Sequence, residues 1–237
     1  RNKNDQQIRN MAFYDPLTSL PNRRLLLDRL QHALLAASRH HQFGALLFLD
    51  LDHFKTLNDS LGHALGDVLL QQVASRLNEE VRSEDTVARI GGDEFVVFLV
   101  EISDQEQLAL EAAQVIANKI RTSLEQVYDL QGHEYHTSVS IGLSLFSGQH
   151  DSADLILKQA DAALYCAKDD GRNTISIYHP ELQTKADERL ALEQDLRQAR
   201  KNNEMFLHYQ PQIDNNGNII GAEALLRWQT DEHGLVP

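Results

Sequence analysis

The sequence predicts an α/β fold with a central mixed sheet flanked by helices, and three observations lead there. Apolar runs short enough for strands, such as FGALLFLDLD (43–52), alternate with long segments of helical periodicity, such as DQEQLALEAAQVIANKIRTSL (104–124). The order over the first 178 residues reads β-α-β-turn-β-α-β-β-α-β. The strands on either side of IGGDEF (90–95) are joined by a turn too short for a crossover, so they form an antiparallel hairpin with GGDEF at its tip. Strands linked by helices can be parallel. The pattern resembles a split βαβ, ferredoxin-like core with additions.

Residues 1–14 are polar with sparse apolar positions and read as the end of a linker helix. DPLTSLPNRR (15–24) is a loop: Asp-Pro opens a turn, and Pro21 suits the first position of the next helix. Leu26, Leu30, Ala33, Leu34 and Ala37 recur at helical spacing over 22–41. The run 43–52 is a buried strand ending in acids, and a helix follows over 64–80. TVARI (86–90) and EFVVFLVEI (94–102) are the hairpin strands, and 104–124 is the next helix. TSVSIGLSLF (137–146) alternates as a strand, with QVYDLQGHEYH before it as candidate hairpin partner. SADLILKQADAALYCAKDDG (152–171) is a helix stopped by glycine, and TISIY (174–178) is a short strand.

Pro180 then starts a charged helix over 181–203, whose Leu190, Leu192, Leu196 and Ala199 can face a neighbour. Beyond it, MFLHYQPQID and IIGAEALLRW read as two strands joined by an NNGN turn. The expected organisation is a linker helix (1–14), a main domain (15–179), a connector (180–203) and the start of a further domain (204–237). That last piece, about 35 residues, is too short for an independent core.

Composition narrows the functional classes. A hydrophobic fraction of 42% and a charged fraction of 24% suit a globular protein. No apolar stretch approaches the ~18 residues of a membrane span. No secretory signal is visible, and the opening on Arg1 reads as a piece of a longer chain. The single cysteine, Cys166, excludes an internal disulfide framework and fits a reducing compartment, so the domain is expected in the cytoplasm, with membrane tethering of the parent chain left open. A net charge of −13 argues against a nucleic-acid polymer as partner, because phosphate neutralisation needs clustered Lys and Arg. A single nucleotide needs only a few cations and a metal ion.

The densest polar pattern is DLDHFKTLNDSLGHALGD (50–67). Asp50 and Asp52 lie at a strand end, where ligands of open α/β sheets tend to bind. Both point to one side if the strand continues, and a helix-capping acid is the plainer explanation. Asp93 and Glu94 lie at the hairpin tip. If the hairpin neighbours the strand ending at Asp50, the carboxylates converge, and a divalent ion such as Mg²⁺ relieves their repulsion. Gly91 and Gly92 allow positive φ and leave room for a ligand against the backbone, although a plain type I′ turn also explains them. Lys55, Lys168 and Arg172 are cations within reach of phosphates, while AKDDGRN (167–173) equally suits a helix C-terminal stop.

DPLTSLPNRR, DLDHFKTLNDSLGHALGD, RIGGDEF and ALYCAKDDGRN, in this order, resemble the GGDEF family of diguanylate cyclases over about residues 10–178. FLHYQPQID and GAEALLRW resemble the opening of an EAL domain, the cyclic di-GMP phosphodiesterase barrel. The resemblance implies a nucleotidyl-cyclase-like sheet and condensation of two GTP into cyclic di-GMP with release of two pyrophosphates. It implies a homodimer of half-sites, Mg²⁺ or Mn²⁺ as cofactor, an upstream sensory domain and a downstream EAL domain.

By that similarity, Asp50 and Asp93 bind the metal through carboxylates and Leu51 through its carbonyl. Asp93 is also the candidate for activating the attacking 3′-hydroxyl, and Glu94 supports the cluster. Asn58 and Asp67 match the guanine-reading positions, with His63 in the same pattern. A carboxylate can accept from guanine N1–H and the 2-amino group together. Lys55, Lys168 and Arg172 match phosphate contacts, Lys55 as a point charge for the transition state. RSED (82–85), with five residues between it and Gly91, has the RxxD spacing of a product-inhibition site, with Arg82 and Asp85 as members and Arg89 as helper. A surface Arg–Asp pair is the plainer explanation. Glu223 matches an EAL metal ligand that works only in a complete barrel, and its partner acids and catalytic lysine are expected beyond Pro237. The alternative to a cyclase is a catalytically silent module that binds GTP or cyclic di-GMP and regulates an attached EAL phosphodiesterase.

Overall fold

The structure, a computed structural model, describes residues 12–148, 151–182, 184, 191–192, 195–196, 198–199, 202, 204–215, 217–230 and 234–236. Most of the expected linker helix and much of the connector, including Leu190, lie outside these residues; the described residues between 180 and 202 are helical. The chain divides into two compact units, residues 1–183 and 184–237.

The first unit is built on a five-stranded sheet. Its elements are α1 (Arg23–His40), β1 (Phe43–Leu51), α2 (Phe54–Leu61), α3 (His63–Glu80), β2 (Thr86–Gly91), β3 (Glu94–Ser103), α4 (Glu106–Leu124), β4 (Tyr128–Leu130), β5 (His133–Tyr135), β6 (Val139–Phe146), α5 (Ala153–Asp169) and β7 (Ile175–Ile177). The strand order is β2-β3-β1-β6-β7. β1 pairs antiparallel with both β3 and β6, and only β6–β7 is parallel within this sheet. The mixed sheet flanked by helices is therefore the predicted class.

β1 is apolar on both faces because both are covered. Ala45, Leu47, Leu49 and Leu51 join one core cluster with α3 and α4 residues such as Leu69, Val73, Ala113 and Ile120. Leu46 and Phe48 join a second with Leu26, Leu30 and Leu34 of α1 and Ile156, Ala160 and Leu164 of α5. Each such fully buried Leu or Phe contributes about 1.5–3 kcal/mol by leaving water.

Four local expectations change. A further helix, α2, precedes the helix expected over 64–80, which is α3: His53 at φ 60° opens α2, and Gly62 at φ 85° ends it and opens α3. Pro21 precedes the cap rather than starting α1; Asn22 is the N-cap and accepts from the N–H groups of Arg24 and Leu25. Residues 126–136 do not pair with β6, because β1 and β7 already occupy both its edges. They fold on themselves as the two-stranded β4–β5 ribbon. The central residues of the turn at the hairpin tip are Gly92 and Asp93, and only Gly92 has positive φ (51°), so it is not type I′.

The second unit contains β8 (Met205–Ile213), β9 (Ile219–Thr230) and β10 (Gly234–Val236), antiparallel in the order β10-β9-β8. The Asp214–Asn218 turn joins β8 to β9 through paired backbone hydrogen bonds. Trp228 is buried and donates from Nε1 to Glu204 at 3.0 Å.

Candidate functional site

β3 lies beside β1, which places the hairpin tip next to the end of β1. Asp50 and Glu94 are direct cross-strand partners. The Leu51 N–H donates to the Asp93 carbonyl at 3.4 Å, tying the turn to the strand end. Asp50, Leu51, Asp93 and Glu94 thus meet at one corner of the sheet. Lys168, from the last turn of α5, closes it with an ion pair to Asp50 at 2.8 Å.

The electrostatics of this corner are those of crowded anions. Burial pushes the Asp50 carboxyl above the ordinary range, Lys168 offsets part of that, and Asp93 and Asp52 add to it. Glu94 is raised by burial first, then by Asp50, Asp161 and Asp93. Asp161, which the sequence reading passed over, is itself raised by burial and opposed by Lys168. Its signal was available: on α5 it sits seven residues before Lys168, two turns along one face.

Among the described residues, no group of three or more His, Cys, Asp and Glu side chains is gathered as a metal ligand set. Two carboxylates and a main-chain carbonyl nevertheless fit a hard cation such as Mg²⁺, which takes oxygen donors and keeps substrate phosphates in its shell. Gly91 and Gly92 leave open space beside the turn, since a Cβ at either would meet nothing within 4 Å.

The second part of the site is the α2–α3 cleft. Asn58 on α2 packs against Gly66 on α3, where an added Cβ would overlap Asn58 Oδ1. That Oδ1 is buried and has no hydrogen-bond partner. An unpaired buried acceptor is costly and marks a place to look for a ligand or strain. Asp67 follows Gly66 and is exposed, as are His63 and Lys55. Arg172 is exposed at φ 65°, beyond the end of α5.

Asp52 is the residue the sequence reading placed least well. The strand ends at Leu51, so Asp52 leaves the Asp50 face. His53, not Asp52, is the N-cap of α2. Asp52 is 3% exposed and accepts from Ser138 Oγ at 2.6 Å, Ser140 Oγ at 2.7 Å and the Asn173 N–H at 3.1 Å.

The RxxD pair is not a surface ion pair. The Asp85 carboxylate accepts from the N–H groups of Arg82 and Val100, at 3.0 and 3.2 Å, and burial leaves it above the ordinary carboxylate range. The Arg82 side chain is exposed. Arg89 is committed elsewhere: it donates to the Gly92 carbonyl at 3.0 and 2.7 Å and to Asp15 at 2.9 Å. Burial acts to raise Asp15, but the Thr18 hydroxyl and N–H and the Arg89 guanidinium outweigh it and hold the carboxyl below its ordinary range. In the second unit, Glu223 is exposed on β9, opposite Gln210.

The model of the diguanylate cyclase GGDEF domain matches residues 12–174, and the EAL domain model matches 193–237. The bifunctional diguanylate cyclase/cyclic di-GMP phosphodiesterase MucR of Pseudomonas aeruginosa is 43% identical over 98% of this chain and 33% of its own length. The cyclic di-GMP phosphodiesterase PdeR of Escherichia coli is 37% identical over 98% of this chain and 34% of its own. The chain therefore spans about a third of these relatives. The solved GGDEF domain of TpbB (YfiN) from Pseudomonas aeruginosa superposes with TM-score 0.69 at 37% identity, covering 73% of this chain and 99% of that one. The coiled coil and GGDEF domain of DgcB from Caulobacter crescentus, solved in complex with c-di-GMP, superposes with TM-score 0.67 at 28% identity, covering 74% and 91%. The predicted nucleotidyl-cyclase-like fold is that of these neighbours. The chain belongs to the GGDEF diguanylate cyclase family, with an EAL-domain match following the GGDEF domain.

Proposed function

We propose that the GGDEF domain, about residues 15–179, is an active diguanylate cyclase that condenses two GTP into cyclic di-GMP in a dimer of half-sites. The observation that carries this reading is the joining of the β1 end to the GGDEF turn through Leu51 N–H and the Asp93 carbonyl, which sets two carboxylates and a carbonyl beside Lys168.

In this reading Asp50, the Leu51 carbonyl and Asp93 hold Mg²⁺ or Mn²⁺. When bound, the ion neutralises charge developing on phosphate oxygens and lowers the cost of an alkoxide nucleophile. Asp93 accepts the 3′-hydroxyl proton of one GTP, whose oxygen attacks the α-phosphate of the other and expels pyrophosphate. Repetition in the opposite sense closes the ring. Glu94 keeps the corner acidic. Lys168, Arg172 and Lys55 bind phosphates, helped by the N-terminus of α2, which opens three residues after Leu51. Asp67 and Asn58 read the guanine edge, with His63 beside them; adenine lacks the paired donors and leaves Asp67 unsatisfied. Arg82 and Asp85 form a product-inhibition site. In a complete EAL barrel, Glu223 is a metal ligand.

Purified protein incubated with GTP and Mg²⁺ should yield cyclic di-GMP by chromatography, and Asp93→Ala should yield none. Absence of product under dimer-favouring conditions, or undiminished product from Asp93→Ala, refutes the assignment. A second reading draws on PdeR, named a phosphodiesterase, which aligns over 98% of this chain. In it the domain binds GTP without turnover and regulates an EAL domain. Tight calorimetric GTP binding without product, with GTP-dependent phosphodiesterase activity in the longer chain, identifies that case.

A further inference from the structure

The buried carboxylate of Asp52 gathers three donors from two distant segments, and one of them belongs to the loop that carries Arg172. Ser138 immediately precedes β6 and Ser140 lies at its start, and their hydroxyls donate to Oδ2 and Oδ1 respectively. The third donor is the Asn173 N–H. The main chain of Asp52 adds two links to the same segment: its N–H donates to Ser138 O at 2.9 Å, and its carbonyl accepts from Thr137 Oγ1 at 3.2 Å.

The loop needs such a clamp. Gly171, Arg172 and Asn173 are consecutive left-handed residues, with φ of 107°, 65° and 45°. Side chains with a Cβ rarely adopt that region, and they hold it only where the surroundings over-determine it. The surroundings here are specific. The Arg172 N–H donates to Ala167 O at 3.1 Å, the Asn173 side chain accepts from Arg121 at 3.0 Å, and its amide donates to Glu125 at 3.1 Å. These bonds hold the two sides of the loop. Asp52 alone among them links it to the end of β1, where Asp50 meets Lys168. The Arg172 side chain is exposed, and the left-handed backbone that carries it fixes where it starts.

We propose that Asp52 is a positioning residue: it locks the left-handed loop against the β1 end and so holds the Arg172 backbone where its side chain can reach the phosphates of the bound nucleotide. This rests on the reading of Arg172 as a phosphate contact, and the test separates the two. Calorimetric binding of Mg-GTP is measured on the full chain for wild type, Arg172→Ala, Asp52→Asn and the double variant, with the urea midpoint of each recorded. Arg172→Ala should weaken binding by about tenfold, the loss of one charge-assisted contact. Asp52→Asn keeps the shape but puts an NH₂ where one oxygen accepted, and should weaken binding by about fivefold, since one acceptor is lost beside a buried donor. In the Arg172→Ala background Asp52→Asn should weaken it no further. Turnover should show the same split, a raised KM with kcat nearly unchanged. Ser138→Ala, which removes one donor and spares the Asn173 bond, should give a smaller loss in the same direction, and it stands in if Asp52→Asn does not fold.

If Arg172→Ala leaves GTP binding unchanged, the phosphate-contact reading fails and the inference falls with it. If Arg172→Ala weakens binding but Asp52→Asn and Ser138→Ala do not, the contact stands and the inference alone is overturned. Additive losses in the double variant also overturn it, because a general loss of stability acts whether or not Arg172 is present.

Discussion

Replacing Gly66 by Ala separates the binding role of Asn58 from the stability of the helices around it. At a helical position Gly→Ala ordinarily stabilises by about 1 kcal/mol, through reduced freedom of the unfolded chain. At Gly66 the new Cβ would overlap Asn58 Oδ1 and lie 3.3 Å from Phe54 Cζ. The ring contact is tight but tolerable. The amide is the end of a rotatable side chain whose Oδ1 has no partner to lose. Turning it away costs about 0.5–1.5 kcal/mol, so the two effects nearly cancel. The melting temperature should therefore stay within about 4 °C of wild type. Nucleotide binding should not be spared. Losing one hydrogen bond to the base is worth about 0.5–1.5 kcal/mol, a loss of roughly two- to thirteenfold in GTP affinity. Calorimetry with Mg-GTP reads the affinity and thermal unfolding the stability. Asn58→Ala should then have little further effect on affinity in the Gly66→Ala background. Unchanged affinity together with a large drop in melting temperature would refute the reasoning, because it means that the helices move apart while Asn58 keeps its place.

Three further outcomes are expected. Breaking the Asp15–Arg89 pair from one side should cost about 3 kcal/mol, because both side chains are mostly buried and the Gly92 carbonyl loses its donors; in urea titrations the double variant should destabilise by less than the sum of Asp15→Ala and Arg89→Ala, and additivity would show that the pair does not couple. Arg82→Ala should relieve inhibition by added cyclic di-GMP while turnover persists, and inhibition at unchanged product concentration would sink the RxxD assignment. Burial pushes the Tyr128 hydroxyl from 10.0 up to about 12, with the neighbouring Arg76 guanidinium opposing part of that rise. The unfolded chain releases that proton first, so the stability tied to the neutral hydroxyl is complete below pH 10.0 and is lost as pH rises through about 12. Tyr128→Phe should flatten the alkaline fall of the urea midpoint over that window, and an identical fall in both proteins would assign it to other groups.

Much of the site was legible because it is built from short segments that sit beside obvious strands. The acids at 50 and 93–94 stand where apolar runs begin or stop, and each run is too regular to be anything but a strand. That the two places meet depends on β3 pairing with β1, which the sequence offered only as a condition. The helix α2 was not legible, because it is 8 residues long, buries Phe54 and Leu57, and has no side-chain cap at its start. The β4–β5 ribbon was misplaced for a different reason: its residues alternate like a partner for β6, and only the occupancy of both β6 edges excludes them.

By itself the sequence determined the sheet class, the GGDEF hairpin and the family, since hydrophobic period, turn residues and motif spacing are local and each survives without knowledge of the rest. Tertiary structure alone decided the use of the polar residues. Asp50 and Asp52 are alike in type and two positions apart, yet one pairs with Lys168 at the open corner and the other is sealed beneath Ser138, Ser140 and Asn173. Arg82 precedes β2 and Arg89 lies within it, yet one is exposed and the other is held between Asp15 and Gly92. A carboxylate or guanidinium acquires its role from whichever partners are within about 3 Å, and those partners come from segments far away in the chain.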